Sequence, residues 1–220
     1  MGKIEKSSGS ISIIGGSDGP TSVFLAGSKK KTLRQRIHKR LFQVRKKWYS
    51  LWIKPGAHTM DEVIRYIKEK YGFVEISKYT KEYIEQYDSL RVSFILQYKP
   101  ELLGEYADMP KLKSRDEEGV REFHRQIEIR QQKAKEISED EFSIDFHILK
   151  KVQNGNNMHF DIESKFGYIG GGFSGKGKGG RSPFEKIYKD VYKYYGVTEE
   201  DIANETKRYQ GLLSTLAARN

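Results

Sequence analysis

The sequence predicts an α+β fold: an antiparallel sheet with a hairpin in the C-terminal half, packed by helices and preceded by a cationic amphipathic helix and a Gly-rich leader. Three observations carry that reading. Apolar residues alternate with polar ones at 142–148 and again at 158–163, which is the two-residue period of strands. Pairs of Ser or Thr with an acidic residue three positions on recur ahead of apolar runs, which is how helices begin. Leu33, Ile37, Leu41, Val44 and Trp48 recur every three or four residues, which is one stripe of a helix.

Residues 1–28 form a leader rich in Gly and Ser, in which Ile11–Ile14 and Thr21–Leu25 flank Ser17-Asp18-Gly19 as strand, turn and strand. Residues 29–56 form a basic helical arm, closed by Pro55-Gly56. A third region, 57–220, holds the α+β domain. There Thr59 with Glu62 caps a helix carrying Val63, Ile64 and Ile67, which Gly72 ends. A short strand is expected at Phe73–Ser77. Val92, Phe94, Leu96 and Tyr98 alternate up to Pro100 and predict a second one.

Ser114 with Glu117 opens a long helix to about Ile137, with Val120, Phe123, Ile127 and Ala134 inward. The hairpin follows. If even positions share a face, its loop must hold an odd number of residues, so a three-residue turn at Asn154-Gly155-Asn156 sets Ile148 opposite Ile162 and His147 opposite Glu163. Both hairpin histidines then sit on the polar face. Ser182, Pro183 and Glu185 read as N-cap, first-turn proline and third-position acid of a helix to Tyr195, and Thr198 with Asp201 caps a last helix running near the terminus.

Charge is lopsided. Eleven of the 40 Lys and Arg residues fall within 29–54, which has no Asp or Glu, so the remaining 29 are outnumbered by the 30 acidic residues. The excess of +10 therefore resides in one segment, and an anionic partner is expected there. Lys29, Lys30, Lys31, Arg34, Arg36, Lys39, Arg40, Arg45, Lys46 and Lys47, followed by Trp48 and Trp52, suit nucleic acid, where cations release counterions and aromatics stack on bases. The same layout suits an anionic membrane surface, apolar stripe down. In a third reading the stripe packs on the domain and the lysines are merely solvated. A soluble binding protein for a polyanion, nucleic acid or ribosomal RNA first, is the leading expectation.

A glycine-rich segment, 170–181, supplies a second anion candidate, Lys176, Lys178 and Arg181 ahead of Ser182 at a helix start. Gly170 to Lys176 spells the phosphate-loop pattern, yet Gly177 stands where a Ser or Thr would hold magnesium. Gly175, Gly177 and Gly180 match dinucleotide spacing but follow a hairpin instead of opening a βαβ unit. A nucleotide- or phosphate-binding protein is the alternative these residues offer.

With no cysteine in the chain, disulfides and thiolate metal sites are excluded, and a cytoplasmic location is the expectation. No run approaches the roughly 20 apolar residues of a membrane span. His38, His58, His124, His147 and His159 have no metal-ligand spacing, and no catalytic residue or cofactor is assigned.

The stretch Ile13-Ile14-Gly15-Gly16-Ser17-Asp18-Gly19-Pro20-Thr21-Ser22-Val23-Phe24-Leu25-Ala26 resembles a segment of the beta subunits of sodium-translocating decarboxylases, whose pattern runs Ile-Gly-Gly-Ala-Asp-Gly-Pro-Thr. By that resemblance Asp18 would be a sodium-binding carboxylate and Thr21 a further oxygen, in an accessory or remnant protein of that family. The resemblance is confined to residues 13–26.

Overall fold

The computed structural model describes residues 10–13, 23–26, 33–114, 116–175 and 181–218. In chain order the elements are β1 (Ser10–Ile13), β2 (Val23–Ala26), α1 (Leu33–Ser50), β3 (Gly56–Ala57), α2 (Met60–Tyr71), β4 (Val74–Glu75) and α3 (Lys81–Tyr98). A 3-10 turn at Pro100–Tyr106 precedes α4 (Glu117–Glu136), β5 (Phe146–Gln153), β6 (Asn156–Glu163), β7 (Tyr168–Gly175), α5 (Arg181–Tyr195), β8 (Gly196–Val197), α6 (Glu199–Ala203) and α7 (Lys207–Ala217). The α+β class is as expected. Strands β1 and β2 pair with each other, β3 with β8, and β4-β5-β6-β7 form a four-stranded sheet whose pairings are antiparallel.

Contacts divide the described chain into two compact units. The first joins residues 33–76 to 146–218 and the second holds 77–145, with the residues of β1 and β2 divided between the two. In the first unit α2 and α5 cover one face of the large sheet, where Val63, Ile67, Phe73, Leu149, Phe160, Ile162 and Val191 form the core. Thr59 caps α2 in a capping box with Glu62, and Gly72 ends it at φ 67°, both as the sequence implied. A second cluster, Val197, Tyr209, Leu212, Leu213 and Leu216, gathers on α7.

Register is the first correction. The hairpin turns through two residues, Asn154 at φ 53° and Gly155 at φ 72°, and pairs Ile148 with Asp161, His147 with Ile162 and Phe146 with Glu163. Two left-handed residues match strand twist, as an Asn-Gly pair favours. The odd-loop argument assumed one apolar and one polar face, whereas Leu149, Phe160 and Ile162 lie on one face and the equally buried Phe146 and Ile148 on the other. His147 sits across from Ile162, with Nδ1 2.6 Å from Glu75 Oε1. The strand starts only at Phe146.

In the second unit, the strand expected at 92–98 is helix. Thr80 caps α3, and Tyr83, Leu90, Arg91, Phe94 and Ile95 give a buried face at helical spacing that the alternation of Val92, Phe94, Leu96 and Tyr98 concealed. The long helix α4 is capped by Asp116, which accepts from the Gly119 amide and is itself held by the Ser114 hydroxyl at 2.7 Å, so Ser114 supports the cap without being it. Phe123, Ile127 and Ala134 are buried as expected.

Near the C-terminus, Thr198 and Asp201 form the expected capping box, but it opens only the short α6. A second cap, Thr206, starts α7. Ser182 lies inside α5, whose first residue is Arg181, so the expected N-cap is displaced.

Candidate functional site

Helix α1 forms because most of residues 33–50 are Leu, Arg, Lys or Gln, good helix formers, with neither Gly nor Pro among them, and its last turn holds Lys47, favourable to the helix dipole. Its anchoring is specific. Tyr49 and Ile53 pack on the Val197–Leu216 cluster, Phe42 is half-buried two turns before Tyr49 on that side, and Lys46 Nζ donates to Gln210 Oε1 at 2.8 Å. Below the helix, β3 pairs with β8, and Arg208 clamps that junction by donating to the carbonyls of His58, Tyr195 and Gly196 while lying over the Tyr195 ring.

The apolar stripe is not what packs. Leu33 is 74% exposed, Val44 65% and Trp48 55%, and Ile37 and Leu41 are each close to half exposed, so the reading in which this stripe docks on the domain is overturned. Leu51 and Trp52 extend the exposed line past the helix end. At about 100° per residue, the stripe lies more than a quarter turn from the Phe42-Lys46-Tyr49 face. Arg34 and Arg45 fall along one edge of the stripe, and Arg36, Arg40 and Lys47 along the other, while Lys39 points away from it.

None of the ion pairs among the described residues involves a cation of α1. Two of the first unit's acidic residues are engaged by groups outside α1. Asp190 accepts from Tyr66, Tyr71 and Lys70, and Glu75 from Lys68 and His147. An 18-residue helix, about 27 Å long, thus presents an apolar line between two rows of cations.

Other expected sites fare differently. Lys29, Lys30 and Lys31 lie outside the described residues, as do Asp18 and Thr21 of the decarboxylase-like segment and Lys176 and Lys178 of the glycine segment. Arg181 and Ser182 fall in the first turn of α5. Gly170 to Gly175 are not loop but strand β7, paired with β6, so the first six positions of the phosphate-loop pattern are extended backbone. Their glycines serve packing. A Cβ at Gly170 would collide with the Tyr168 ring and one at Gly172 with the His159 imidazole, and one at Gly171 would stand 2.8 Å from the His159 carbonyl oxygen.

Among the described residues no group of three or more His, Asp or Glu side chains could hold a metal ion, and no helix is long and apolar enough to cross a membrane. No family model, curated protein or solved structure matches the chain. What sequence reasoning missed is that the packing face of α1 is Phe42-Lys46-Tyr49-Ile53. The signal was present in the i, i+7, i+11 spacing of Phe42, Tyr49 and Ile53, masked by the stronger stripe beside it.

Proposed function

We propose that the chain is a binding protein whose helix α1 seats on an anionic phospholipid surface, with the Leu33-Ile37-Leu41-Val44-Trp48 stripe in the headgroup region and the flanking cations on lipid phosphates. The observation that carries this reading is the exposure of the stripe between two unpaired rows of Arg and Lys. Cations alone would serve nucleic acid equally well. Five apolar side chains facing a sugar-phosphate backbone would gain nothing there, whereas in a bilayer interface they leave water and the arginines reach the phosphates alongside. Interfacial Trp at the end of such a stripe fits its preference for headgroup depth. Each cation near an anionic leaflet adds about 1 kcal/mol.

The test is co-sedimentation of the full-length protein with vesicles of phosphatidylglycerol and phosphatidylcholine, set against pure phosphatidylcholine and against RNA. Association with anionic vesicles is expected, lowered at least tenfold by Ile37→Asp with Leu41→Asp. If those substitutions spare vesicle binding, or if only RNA is bound and the stripe variants bind it unchanged, the lipid-surface reading is wrong.

A further inference from the structure

Beside the stripe, the first unit holds a cleft of about 450 Å³ between the end of α1 and helix α7, within the size range of ligand sites. Trp48, Tyr49, Trp52 and Ile53 form one wall, and Leu212 and Leu216 the other. Its floor is backbone at Gly56 and Gly196, where chains approach so closely that a Cβ on Gly196 would overlap the Gly56 carbonyl. No side chain rises from that floor to fill the space.

The rim is cationic. Lys54 and Lys193 are the charged residues of the lining, and no carboxylate joins them. One turn before Lys193, the Lys189 ammonium is held below its ordinary pKa, by burial first and by repulsion from Arg45 and Lys193, with Glu185 opposing.

Apolar walls with two ammonium groups at the edge select a molecule with one hydrocarbon tail and one negative head. A diacyl phospholipid would bring a second hydrocarbon chain, more than a cleft of about 450 Å³ holds. We infer that the cleft between α1 and α7 binds one long-chain fatty-acid anion, its tail between Trp52 and Leu216 and its carboxylate on Lys54 and Lys193. The cleft shares Trp48 with the surface stripe, but Lys193 belongs to α5 and is no part of that stripe, so a change there separates the two sites.

Both tryptophans of the chain line this cleft, so their emission reports its occupancy. The full-length protein is titrated with oleate below its micellar concentration, without vesicles. A saturable blue shift is expected, quenched by a brominated chain, with oleyl alcohol at least tenfold weaker. Lys54→Gln and Lys193→Gln should each lower oleate affinity about fivefold, and Lys193→Gln should leave vesicle association within twofold. Absence of a saturable change, equal binding of the alcohol, or full affinity in both lysine variants would overturn the assignment. Saturable oleate binding without any vesicle association would fail the surface reading alone, and vesicle association without saturable oleate binding would fail the cleft assignment alone.

Discussion

Single side chains in this protein repeatedly satisfy backbone rather than one another. Arg91, only 6% exposed, donates to the carbonyls of Ile137, Ser138 and Phe142, and Arg130 to those of Leu96, Tyr106 and Ala107. A buried guanidinium is tolerable only when its donors are used in this way, and each bond to a charged donor is worth about 1.5–3 kcal/mol. The glycines of β7 act by absence. Gly171→Ala places a methyl against the His159 carbonyl, and a loss of about 1–3 kcal/mol is expected in urea unfolding; an unchanged midpoint would show that the strand can shift to accept it.

Asp190 gathers the other polar cluster of the first unit. Burial would raise its carboxyl, but hydrogen bonds from Tyr66 at 2.5 Å, Tyr71 at 2.6 Å and Lys70 at 2.9 Å prevail and hold it at about 2. A depressed carboxylate contributes stability above its unfolded pKa, near 4, and loses it as pH falls towards 2. For a side chain 37% exposed, solvent screening limits that contribution to about 1 kcal/mol. Asp190→Asn should therefore lower stability at pH 7 and flatten its dependence between pH 4 and pH 2, measured by thermal melting across that range. Tyr71, raised to about 12 by burial and then by the Asp190 hydrogen bond, adds a mirror-image loss as pH climbs above 10.

At the scale of elements, α1 has two apolar faces with different jobs. Tyr49 is packed against Leu212 and its neighbours, so Tyr49→Ala should cost about 2–4 kcal/mol in chemical unfolding. Leu41, exposed on the stripe, should tolerate Gln within about 0.5 kcal/mol. Were Leu41→Gln as damaging as Tyr49→Ala, the stripe would be part of the core and unavailable to a surface. The hairpin teaches a related lesson. Asn154-Gly155 announced its two-residue turn plainly, and the parity rule that overrode it fails wherever both faces of a sheet are buried. Helix α3 is obscured because its last turns, over 92–98, carry a two-residue alternation of apolar residues, while the cap that opens it, Thr80, lies well upstream.

For the whole molecule, charge and apolar exposure combine in one helix while the rest of the chain is near neutral. Raising ionic strength from about 0.05 to 0.5 M shortens the screening length severalfold. Vesicle association should then weaken by about tenfold and persist, because the stripe's burial is insensitive to salt; nucleic-acid binding through phosphates alone would instead collapse over that range. Ultracentrifugation at graded salt separates the two outcomes.

Capping boxes at Thr59 and Thr198, the left-handed stop at Gly72, the helix over 33–50 and the cationic excess were legible in the residues, because each arises from groups a few positions apart. Register, the second buried face of the sheet, and the use of Gly170–Gly172 for close packing in place of a phosphate loop depend on segments distant in sequence. So does the choice between two apolar faces of α1. Local chemistry fixes what a segment can be, but which face leaves water is settled by the volume that α7, arriving more than 150 residues later, can fill.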